Sequence, residues 1–398
     1  MSNRLDELKY LDEKYLIDTL IRLIKIPTHV PLGPKTLMAP DDPVLVHYVQ
    51  EIIRPELSRI GAYEIIEAPL NQLVVRMGRG KSDRRILVMV YTPTQHANLM
   101  EDPFSAKIAI PSGTPYNEPC IFGQGVSQNK AHMAAMLSVL KWIIERKIDL
   151  AGTLYFAVNN EGRSSHHCTD AILSVLDSKP KTAVLAIGTD MKISLGNRGR
   201  VDVYVHVTGK PTHSSDPESG LSAIDGAFNV MKRLKMLDPK EEHPLLGRQR
   251  LLVYQIVYDP IAPHTLPGTA KLTLDRRLLP GDDPEQVVAD IREAIGDLSP
   301  YKVEVEKGVM MLPALVDEND PIVQGLQEAS LQIRGKHCVT KYGRGTFDAG
   351  GLTSKNIPAV MFGASGGQGG ILGEDFVCLR EVIEEAKMLG LTIMNMIS

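Results

Sequence analysis

The chain has 398 residues, of which 43% are hydrophobic and 23% are charged. This length exceeds what one ordinary core needs and suits two domains, and the composition is that of a folded globular protein. A net charge of -4 gives no long-range attraction to nucleic acid or to an anionic membrane, and no segment approaches 18 uninterrupted apolar residues. We therefore expect a small-molecule partner, and neither nucleic acid nor a membrane.

The N-terminal segment and the cysteines bear on where the protein works. Residues 1–16 are charged and lack the apolar stretch of a secretory signal, which predicts a cytoplasmic protein. The four cysteines are widely spaced and form no CxxC pair: Cys120, Cys168, Cys338 and Cys378. This pattern favours buried thiols over disulfide bridges or a thiolate metal site.

The first part of the chain alternates between helical and strand patterns. Apolar residues recur at helical spacing from residue 11 to residue 25, and Pro27 ends this opening helix. The pattern then predicts helices at 43–60, 130–146 and 169–178, and strands at 72–77, 85–90, 152–158 and 182–187. Such alternation is typical of an α/β domain with a mostly parallel central sheet.

The pattern changes after Gly196. Residues 200–208 alternate, with Val201, Val203, Val205 and Val207 on one face, as in a half-buried antiparallel strand. Helices at 222–235 and 283–295 and strands at 250–258, 269–277 and 302–306 follow, and the first pattern resumes at Pro321. The sequence thus predicts an α/β domain over 1–196 and 309–398, interrupted by a smaller α+β sandwich over 197–308.

Three stretches carry a family resemblance: GQGVSQNKAHMAAML at 123–137, LGNRGRVDVYVHVTGKPTHSS at 195–215 and LDRRLLPGDDPE at 274–285. With the order of segments, they resemble the zinc hydrolases that include the aminoacylases, carboxypeptidase G, acetylornithine deacetylase and succinyl-diaminopimelate desuccinylase. The resemblance implies that the inserted domain is a lid and dimerisation domain, so a homodimer is expected. It also implies that His213 acts across the dimer and that Arg277 holds a substrate carboxylate.

The metal ligands of that family are mostly replaced. Tyr91 and Pro93 stand where the family has a His and an Asp, and Gln128 stands at the Asp that bridges both zinc ions. The Glu pair that follows the next strand, the base and then a ligand, appears as Asn160 and Glu161. A neutral amide cannot offset two dications.

The remaining two ligand positions are also changed. The acidic ligand expected after the strand 182–187 falls at Ile187 to Thr189, with Asp190 just beyond, and the last His lines up with Ile371. Zinc needs three or four N, S or O ligands. The usual two-zinc site is therefore expected to be lost, and no cofactor is predicted, although zinc at relocated ligands stays open.

Several residues near these positions are candidates for chemistry. Glu161 would be a carboxylate base, or else a turn residue at a strand end, and Asn160 occupies the position of the family's base. Asn129 and Lys130 begin a helix, where backbone N–H groups favour a substrate carboxylate; a simple cap is the alternative. Tyr91 would donate to an oxyanion or fill the space left by zinc.

A relocated single-metal site is a further hypothesis. His132, on the first turn of the helix 130–146, would join Glu161 and His166, since imidazole and carboxylate suit Zn or Mn. Lone histidines are more often surface groups or satisfied core groups.

The inserted domain carries its own candidates. His213 would stabilise a tetrahedral intermediate. Arg276 and Arg277 are adjacent on a strand, so only one can face a ligand, and the family resemblance selects Arg277. Arg198 is a second candidate for anion binding, with packing as its alternative.

Two glycine-rich stretches lie near the C-terminus, at 343–351 and 362–370. Backbone amides at Gly366 and Gly367 would cradle an oxyanion or carboxylate, unless these glycines only permit unusual turns. Asp348 and Gln128 are kept as polar contacts to substrate.

The leading hypothesis is a hydrolase of an amide-like C–N bond in a small carboxylate-bearing molecule that works without the dinuclear zinc centre. Glu161 would act on water, His213 and the glycine-rich loop would hold the oxyanion, and Arg277 would hold the carboxylate. One alternative is a relative that binds a ligand or partner without catalysis. The other is an enzyme with one relocated metal.

Overall fold

The computed structural model describes residues 2–30, 38–62, 64–80, 83–94, 99–161, 165–237, 239, 241–367 and 373–398. The chain groups into two compact units, the first over 1–196, 315–342 and 351–398 and the second over 197–314 and 343–350. The strand predicted to end at residue 306 runs on to Met311, past a register irregularity between Lys307 and Met310. The second unit therefore extends beyond residue 308.

The helices follow the predicted pattern closely. They are α1 (Ser2–Glu7), α2 (Glu13–Ile24), α3 (Pro43–Val46), α4 (Arg54–Arg59), α5 (Ala131–Glu145), α6 (His167–Ser174), α7 (Ala223–Leu234), α8 (Pro284–Ile295), α9 (Pro321–Arg334), α10 (Ala349–Thr353) and α11 (Leu379–Ile397). Residues His47–Ile53 join α3 to α4 as a wider π-helical turn, so 43–59 is one helical segment.

The strands are β1 (Ile65–Ala68), β2 (Gln72–Met77), β3 (Arg85–Tyr91), β4 (Ile108–Ala109), β5 (Cys120–Phe122), β6 (Thr153–Asn159), β7 (Thr182–Ala186), β8 (Ile193–Asn197), β9 (Gly199–Thr208), β10 (Thr212–His213), β11 (Glu242–His243), β12 (Gly247–Arg248), β13 (Arg250–Asp259), β14 (Thr265–Leu266), β15 (Thr269–Leu278), β16 (Lys302–Met311), β17 (Ala314–Leu315), β18 (Thr340–Gly343), β19 (Ala359–Phe362) and β20 (Phe376–Cys378).

Three helices begin on the same dipeptide. Asp42, Asp283 and Asp320 each precede a proline at the first helical position, and each carboxylate accepts a hydrogen bond from the second backbone N–H beyond it. The aspartate satisfies an N–H that the helix leaves unpaired, and the proline loses nothing there because its missing N–H would be unpaired anyway.

The first unit is built on a large mixed sheet with the strand order β1-β2-β6-β3-β7-β19-β8-β17. The four neighbours β6, β3, β7 and β19 run parallel, while β1, β2 and β8 pair antiparallel at their sides. The prediction of a parallel sheet is confirmed for these four central strands, and the flanking strands make the sheet mixed. Helix α5 is buried on nearly all sides, which explains why it is apolar all round.

The second unit is a separate sandwich. Its antiparallel sheet has the order β13-β15-β9-β16, and α7 and α8 cover one face. The alternating valines of β9 are buried against these helices together with Leu272 and Leu274 of β15. The expected α/β domain with a smaller α+β sandwich is therefore the observed architecture.

The prediction of buried thiols holds for two cysteines and is wrong for the other two. Cys168 and Cys338 are buried and free. Cys120 and Cys378 form a disulfide, because β5 and β20 pair antiparallel in a register that sets these residues opposite each other. Their separation of 258 residues hides this pairing in the sequence. None of the described helices is both long and apolar enough to cross a bilayer.

The core of the second unit gives a matched stability test. Leu274 is fully buried on β15, whereas Leu252 on the neighbouring strand β13 is 59% exposed. We expect Leu274→Ala to lower the free energy of unfolding by about 2–5 kcal/mol, because it removes buried methyl groups and leaves a cavity. Leu252→Ala should change the unfolding of the monomer by less than about 1 kcal/mol. Urea unfolding of both variants checks this, and equal losses would contradict the assigned core.

Candidate active site

The carboxyl ends of β3, β6, β7 and β19 lie along one edge of the large sheet, because these strands are parallel neighbours. Tyr91 ends β3 and lies opposite Asn159 at the end of β6. Asn160 and Glu161 follow β6, and Gly188 follows β7. Open α/β sheets bind ligands at such an edge. We call the strand ends at Tyr91, Asn160, Glu161 and Gly188 the carboxyl edge.

Glu161 is held firmly at this edge. Its backbone N–H donates to the Oδ1 atom of Asn159 at 2.7 Å, which fixes the turn as the strand ends. Glu161 is only 3% exposed, and Tyr91 on the neighbouring strand is also buried. The structure therefore brings these two predicted residues to adjacent strand ends.

Asn160 does not have the predicted catalytic role in this arrangement. Its side-chain N–H groups donate to the backbone carbonyls of Leu70 and Asn71, and its Oδ1 atom accepts from the hydroxyl of Thr92. The residue is completely buried. Its amide is therefore committed to joining three chain segments, which leaves it no capacity for a reacting group.

A tight loop over residues 125–130 approaches the same edge and leads into α5. Gly125 has a φ of 83°, and a Cβ there would lie 2.1 Å from the Thr94 hydroxyl, so only glycine fits. The backbone N–H of Gly188 donates to the carbonyl of Ser127 at 3.0 Å, which ties the loop to the end of β7. Gln128 is half-buried in this loop.

The carboxylate of Asp375 organises this loop. It accepts from the backbone N–H of Gly125 at 2.7 Å, from the backbone N–H of Ser127 at 3.2 Å, and from the Ser127 hydroxyl. Asp375 is buried, and burial raises its pKa to about 6 although these hydrogen bonds and the charge of Lys130 oppose the shift. Sequence reasoning missed Asp375, because its position shows no ligand pattern.

Asn129 meets the edge from the loop side. Its amide N–H donates to the carbonyl of Thr92 at 2.7 Å, while its Oδ1 atom is buried without a hydrogen-bond partner among the described residues. The hydroxyls of Thr28 and Thr94 are likewise buried and unpartnered within that part of the chain. Asn129 thus keeps a free acceptor, which suits a polar contact better than a carboxylate of the substrate.

Lys130 does not bind substrate as predicted. Its side chain is fully buried, and its ammonium donates to the backbone carbonyls of Ile24 and Ile26. Burial lowers the pKa of Lys130 to about 7, with the charge of Asp375 acting in the opposite direction. The lysine therefore joins the loop to the end of α2 and is inaccessible to a ligand.

The relocated metal site is not assembled. His132 is fully buried, its Nδ1 atom pairs with Glu385 at 2.8 Å, and its Nε2 atom lies 3.1 Å from the carbonyl of Ser127. Burial opposes the charged ring, but Glu385, the carbonyl of Ser127 and the charge of Asp375 together raise the pKa of His132. Both ring nitrogens are occupied, so His132 cannot join Glu161 and His166 around an ion.

The described residues at the carboxyl edge also fit zinc poorly. They offer a phenol, amides and the Glu161 carboxylate, whereas zinc takes thiolate, imidazole or carboxylate ligands. No cluster of three or more His, Cys, Asp or Glu side chains suited to a metal occurs within the described ranges. Ile371, which lines up with the family's last His ligand, lies outside the described residues.

The predicted amide cradle at Gly366 and Gly367 is wrong. Both backbone N–H groups already donate to the carbonyl of Phe376, each at 3.1 Å. A Cβ at either position would come within 2.7 Å of the Phe376 ring. These glycines therefore allow close packing against Phe376 and offer no free amides to an oxyanion.

In the second unit, His213 is exposed and well oriented. It lies on β10, and its Nδ1 atom accepts from the backbone N–H of Ser215 at 3.2 Å and lies 2.8 Å from the Ser215 hydroxyl. An acceptor at Nδ1 places the proton of the neutral ring on Nε2. The exposed side of His213 is thus an N–H donor, as an oxyanion contact requires.

The two arginines behave as strand alternation predicts. Arg276 is buried on the helix-covered face and donates to the carbonyl of Arg277 and to Gln249. Arg277 is on the opposite face, where it makes a two-pronged contact with Asp275, both distances being 2.8 Å. Arg198 donates to the carbonyl oxygens of Arg248 and Arg344. Asp348 is completely buried, so it is a poor candidate for direct contact with substrate.

Comparison with known proteins adds to this geometry. Residues 195–302 match the model of a peptidase dimerisation domain. An uncharacterized metallohydrolase of Methanococcus maripaludis is 25% identical over 306 residues, which cover 70% of this chain and 69% of that protein. An uncharacterized protein of Escherichia coli is 23% identical over 258 residues, which cover 63% of this chain and 60% of that protein.

A solved structure of another protein has a similar fold. A metallo-carboxypeptidase of Sulfolobus solfataricus superposes with a TM-score of 0.75 at 16% identity, covering 95% of this chain and 98% of that one. The chain is thus similar in sequence to a metallohydrolase and similar in fold to a metallo-carboxypeptidase. This chain shares that fold, while the neutral side chains of Tyr91, Gln128 and Asn160 stand where the zinc hydrolases that it resembles have metal ligands or the base, and Glu161 keeps a carboxylate at a ligand position.

The raised pKa of Asp375 predicts a pH-dependent stability. Its folded pKa of about 6 exceeds the ordinary aspartate pKa of 3.8, so the folded state binds the proton more tightly. Its contribution to stability is present below about pH 4 and is lost as the pH rises to 6, by about 3 kcal/mol. The variant Asp375→Asn lacks this titration. From pH 4 to pH 7, the unfolding free energy of the wild type should therefore fall by about 3 kcal/mol relative to that of the variant.

Chemical denaturation across this pH range measures the effect. Asp41→Asn, which removes an exposed carboxylate of the same unit, is the matched control and should show little change. A difference for Asp375→Asn that stays constant with pH would contradict the assignment.

Proposed function

We propose that this protein hydrolyses an amide-like C–N bond in a small carboxylate-bearing molecule, without the dinuclear zinc centre of its family. The observation that carries the proposal is the position of Glu161, a buried carboxylate that directly follows β6 at the carboxyl edge. The metallohydrolase and metallo-carboxypeptidase named above support hydrolysis of a bond of this class.

Glu161 acts as the general base in this proposal. The carboxylate takes a proton from water, the water oxygen attacks the carbonyl carbon of the substrate, and a tetrahedral oxyanion forms. The C–N bond then breaks, and the proton held by Glu161 passes to the departing nitrogen. The hydrogen bond from the Glu161 backbone N–H to Asn159 keeps the base in place.

Within the second unit, three residues are suited to negative charge. The Nε2–H of His213 can donate to an oxyanion, because its Nδ1 atom is engaged with Ser215. Arg198 and Arg277 can attract a carboxylate, and Arg277 shares its charge with Asp275. Tyr91 and Gln128 remain candidate polar contacts in the first unit.

A turnover experiment tests the base. We expect Glu161→Gln to lower kcat on a reactive N-acyl amino acid by about 10²–10⁴-fold, because glutamine cannot accept a proton. Glu145→Gln, which removes an exposed carboxylate paired with Lys141, should leave kcat unchanged. Turnover of a panel of N-acyl and cyclic amides, with and without chelator and with metal content measured on the same sample, checks this.

The outcomes separate the alternatives. Turnover that survives chelation supports the proposal, and turnover that requires near-stoichiometric zinc would falsify it. If no amide is hydrolysed while carboxylate ligands still raise the melting temperature, the non-catalytic binding protein is the better account. The commitment of the Asn160 amide to structural hydrogen bonds is the observation that favours that second candidate.

We also propose that the protein is a homodimer through its second unit. Strand β13 is at the edge of the sheet and exposes Ile256, Tyr258 and other apolar side chains, and α7 exposes Phe228. An exposed apolar edge strand is a template for pairing with another chain. The match to a peptidase dimerisation domain supports this surface as the interface.

Substitution at the edge strand tests the dimer. Ile256→Lys buries a charge in the proposed interface and should shift the population from dimer to monomer, with dissociation at least about tenfold stronger. Val339→Lys, at an exposed position in the first unit, is the control and should not alter assembly. Sedimentation velocity over a concentration series measures both. A wild-type monomer, or a dimer unaffected by Ile256→Lys, would count against the interface.

A further inference from the structure

An unusual row of arginines crosses the open face of the sheet in the second unit. Arg250 of β13 lies directly opposite Arg277 of β15, which in turn lies directly opposite Arg200 of β9. Directly opposite residues in antiparallel strands share a face, and like charges in such pairs repel each other. The sheet therefore brings positive charges together where pairing alone would disfavour them.

Two aspartates offset part of this charge. Asp275 binds Arg277 through two contacts of 2.8 Å, and Asp202 lies 2.9 Å from Arg200. Asp275 and Asp202 are themselves directly opposite each other on β15 and β9. Each aspartate thus pairs with the arginine of its own strand. The Nε and Nη2 atoms of Arg277 already contact Asp275 in the absence of a ligand.

Arg198 adds a positive charge that receives no such offset. Its two contacts are with neutral carbonyl oxygens, those of Arg248 at 2.8 Å and Arg344 at 3.4 Å. Its Nε atom is buried and has no partner among the described residues. Burial, followed by the charges of Arg277, Arg344 and Arg250, lowers the pKa of Arg198.

Arg344 joins the same cluster. Its backbone carbonyl accepts from both Arg198 and Arg277, which holds the turn at 343–350 beside the sheet. The side chains of Arg344 and Arg250 belong to exposed residues, and neither makes an ion pair among the residues described. Five guanidinium groups against the two paired carboxylates leave an excess of three positive charges. A single substrate carboxylate would leave most of that excess unmatched.

We propose that this arginine cluster, Arg198, Arg200, Arg250, Arg277 and Arg344, binds a doubly charged anionic group, either two neighbouring carboxylates or a phosphate monoester. That the dianion belongs to a substrate rests on the proposed function, whereas the binding itself does not. A planar guanidinium matches carboxylate and phosphate oxygens equally well. A dianion relieves the mutual repulsion of Arg198, Arg250 and Arg344, and so stabilises the unit as it binds.

Calorimetric titration of the full chain with three probes tests this proposal. Acetate, succinate and inorganic phosphate are compared at pH 8 and at constant ionic strength, because salt screens such contacts. We expect succinate or phosphate to bind at least about tenfold more tightly than acetate. Which of the two binds more tightly identifies the dicarboxylate or the phosphate monoester as the natural group.

Variants locate the binding. Arg250→Gln and Arg344→Gln change exposed side chains and so leave the core intact. Each should lower the affinity for the more tightly bound of succinate and phosphate by about tenfold. Arg292→Gln removes an exposed positive charge from α8 of the same unit and should leave the affinity unchanged. Equal affinity for all three probes, or dianion binding that Arg250→Gln and Arg344→Gln do not weaken, overturns the proposal. Dianion binding without any amide turnover leaves it standing and counts only against the proposed hydrolysis.

Discussion

The carboxylate of Asp375 is the contact on which the first unit's candidate site depends. It gathers the backbone N–H groups of Gly125 and Ser127, so the loop leading into α5 has one conformation. That conformation in turn places Asn129 against the end of β3 and Ser127 against the end of β7. Because the carboxylate is buried, these hydrogen bonds are needed to offset the cost of removing its charge from water.

The charges beneath this loop are balanced internally. Lys130 and Asp375 are both buried, and each shifts the other toward its charged form. His132 and Glu385 form a second buried pair, and Glu385 also accepts from the backbone N–H of Ala364. Buried charges persist only when they are paired and hydrogen-bonded. The His132–Glu385 pair and the mutual attraction of Lys130 and Asp375 therefore offset part of the cost of burying these charges.

The same cost of burying unpaired charge bears on the neutral residues at the carboxyl edge. A cluster of carboxylates is stable around two dications, because the ions compensate the repulsion and the lost hydration. Without such ions, the carboxylates would repel one another in a buried site. Gln128 and Asn160 are neutral and add no such repulsion, and the Asn160 amide joins chain segments. Glu161 keeps a buried carboxylate, and its backbone N–H is held by the side chain of Asn159.

The sequence predicted the elements far better than the contacts. The strand β2 was predicted to the residue and the helix α8 to within one residue, because apolar periodicity and bounding prolines and glycines are local signals. The partners of Lys130, His132 and Gly366 could not be predicted in that way. Each depends on a segment far along the chain: Ile26 for the lysine, Glu385 for the histidine and Phe376 for the glycine. The disulfide between Cys120 and Cys378 was missed for the same reason.

The second unit shows what family resemblance alone leaves out. Resemblance assigns one arginine to one carboxylate, whereas the strand register surrounds Arg277 with Arg250 and Arg200 and gives its own fork to Asp275. A guanidinium that is already paired attracts a ligand more through the summed field of its neighbours than through its own free hydrogen bonds. The proposed anion binding would therefore be a property of the cross-strand row. It depends on the register of three strands, and a shift of one residue in any of them would turn an arginine to the helix-covered face.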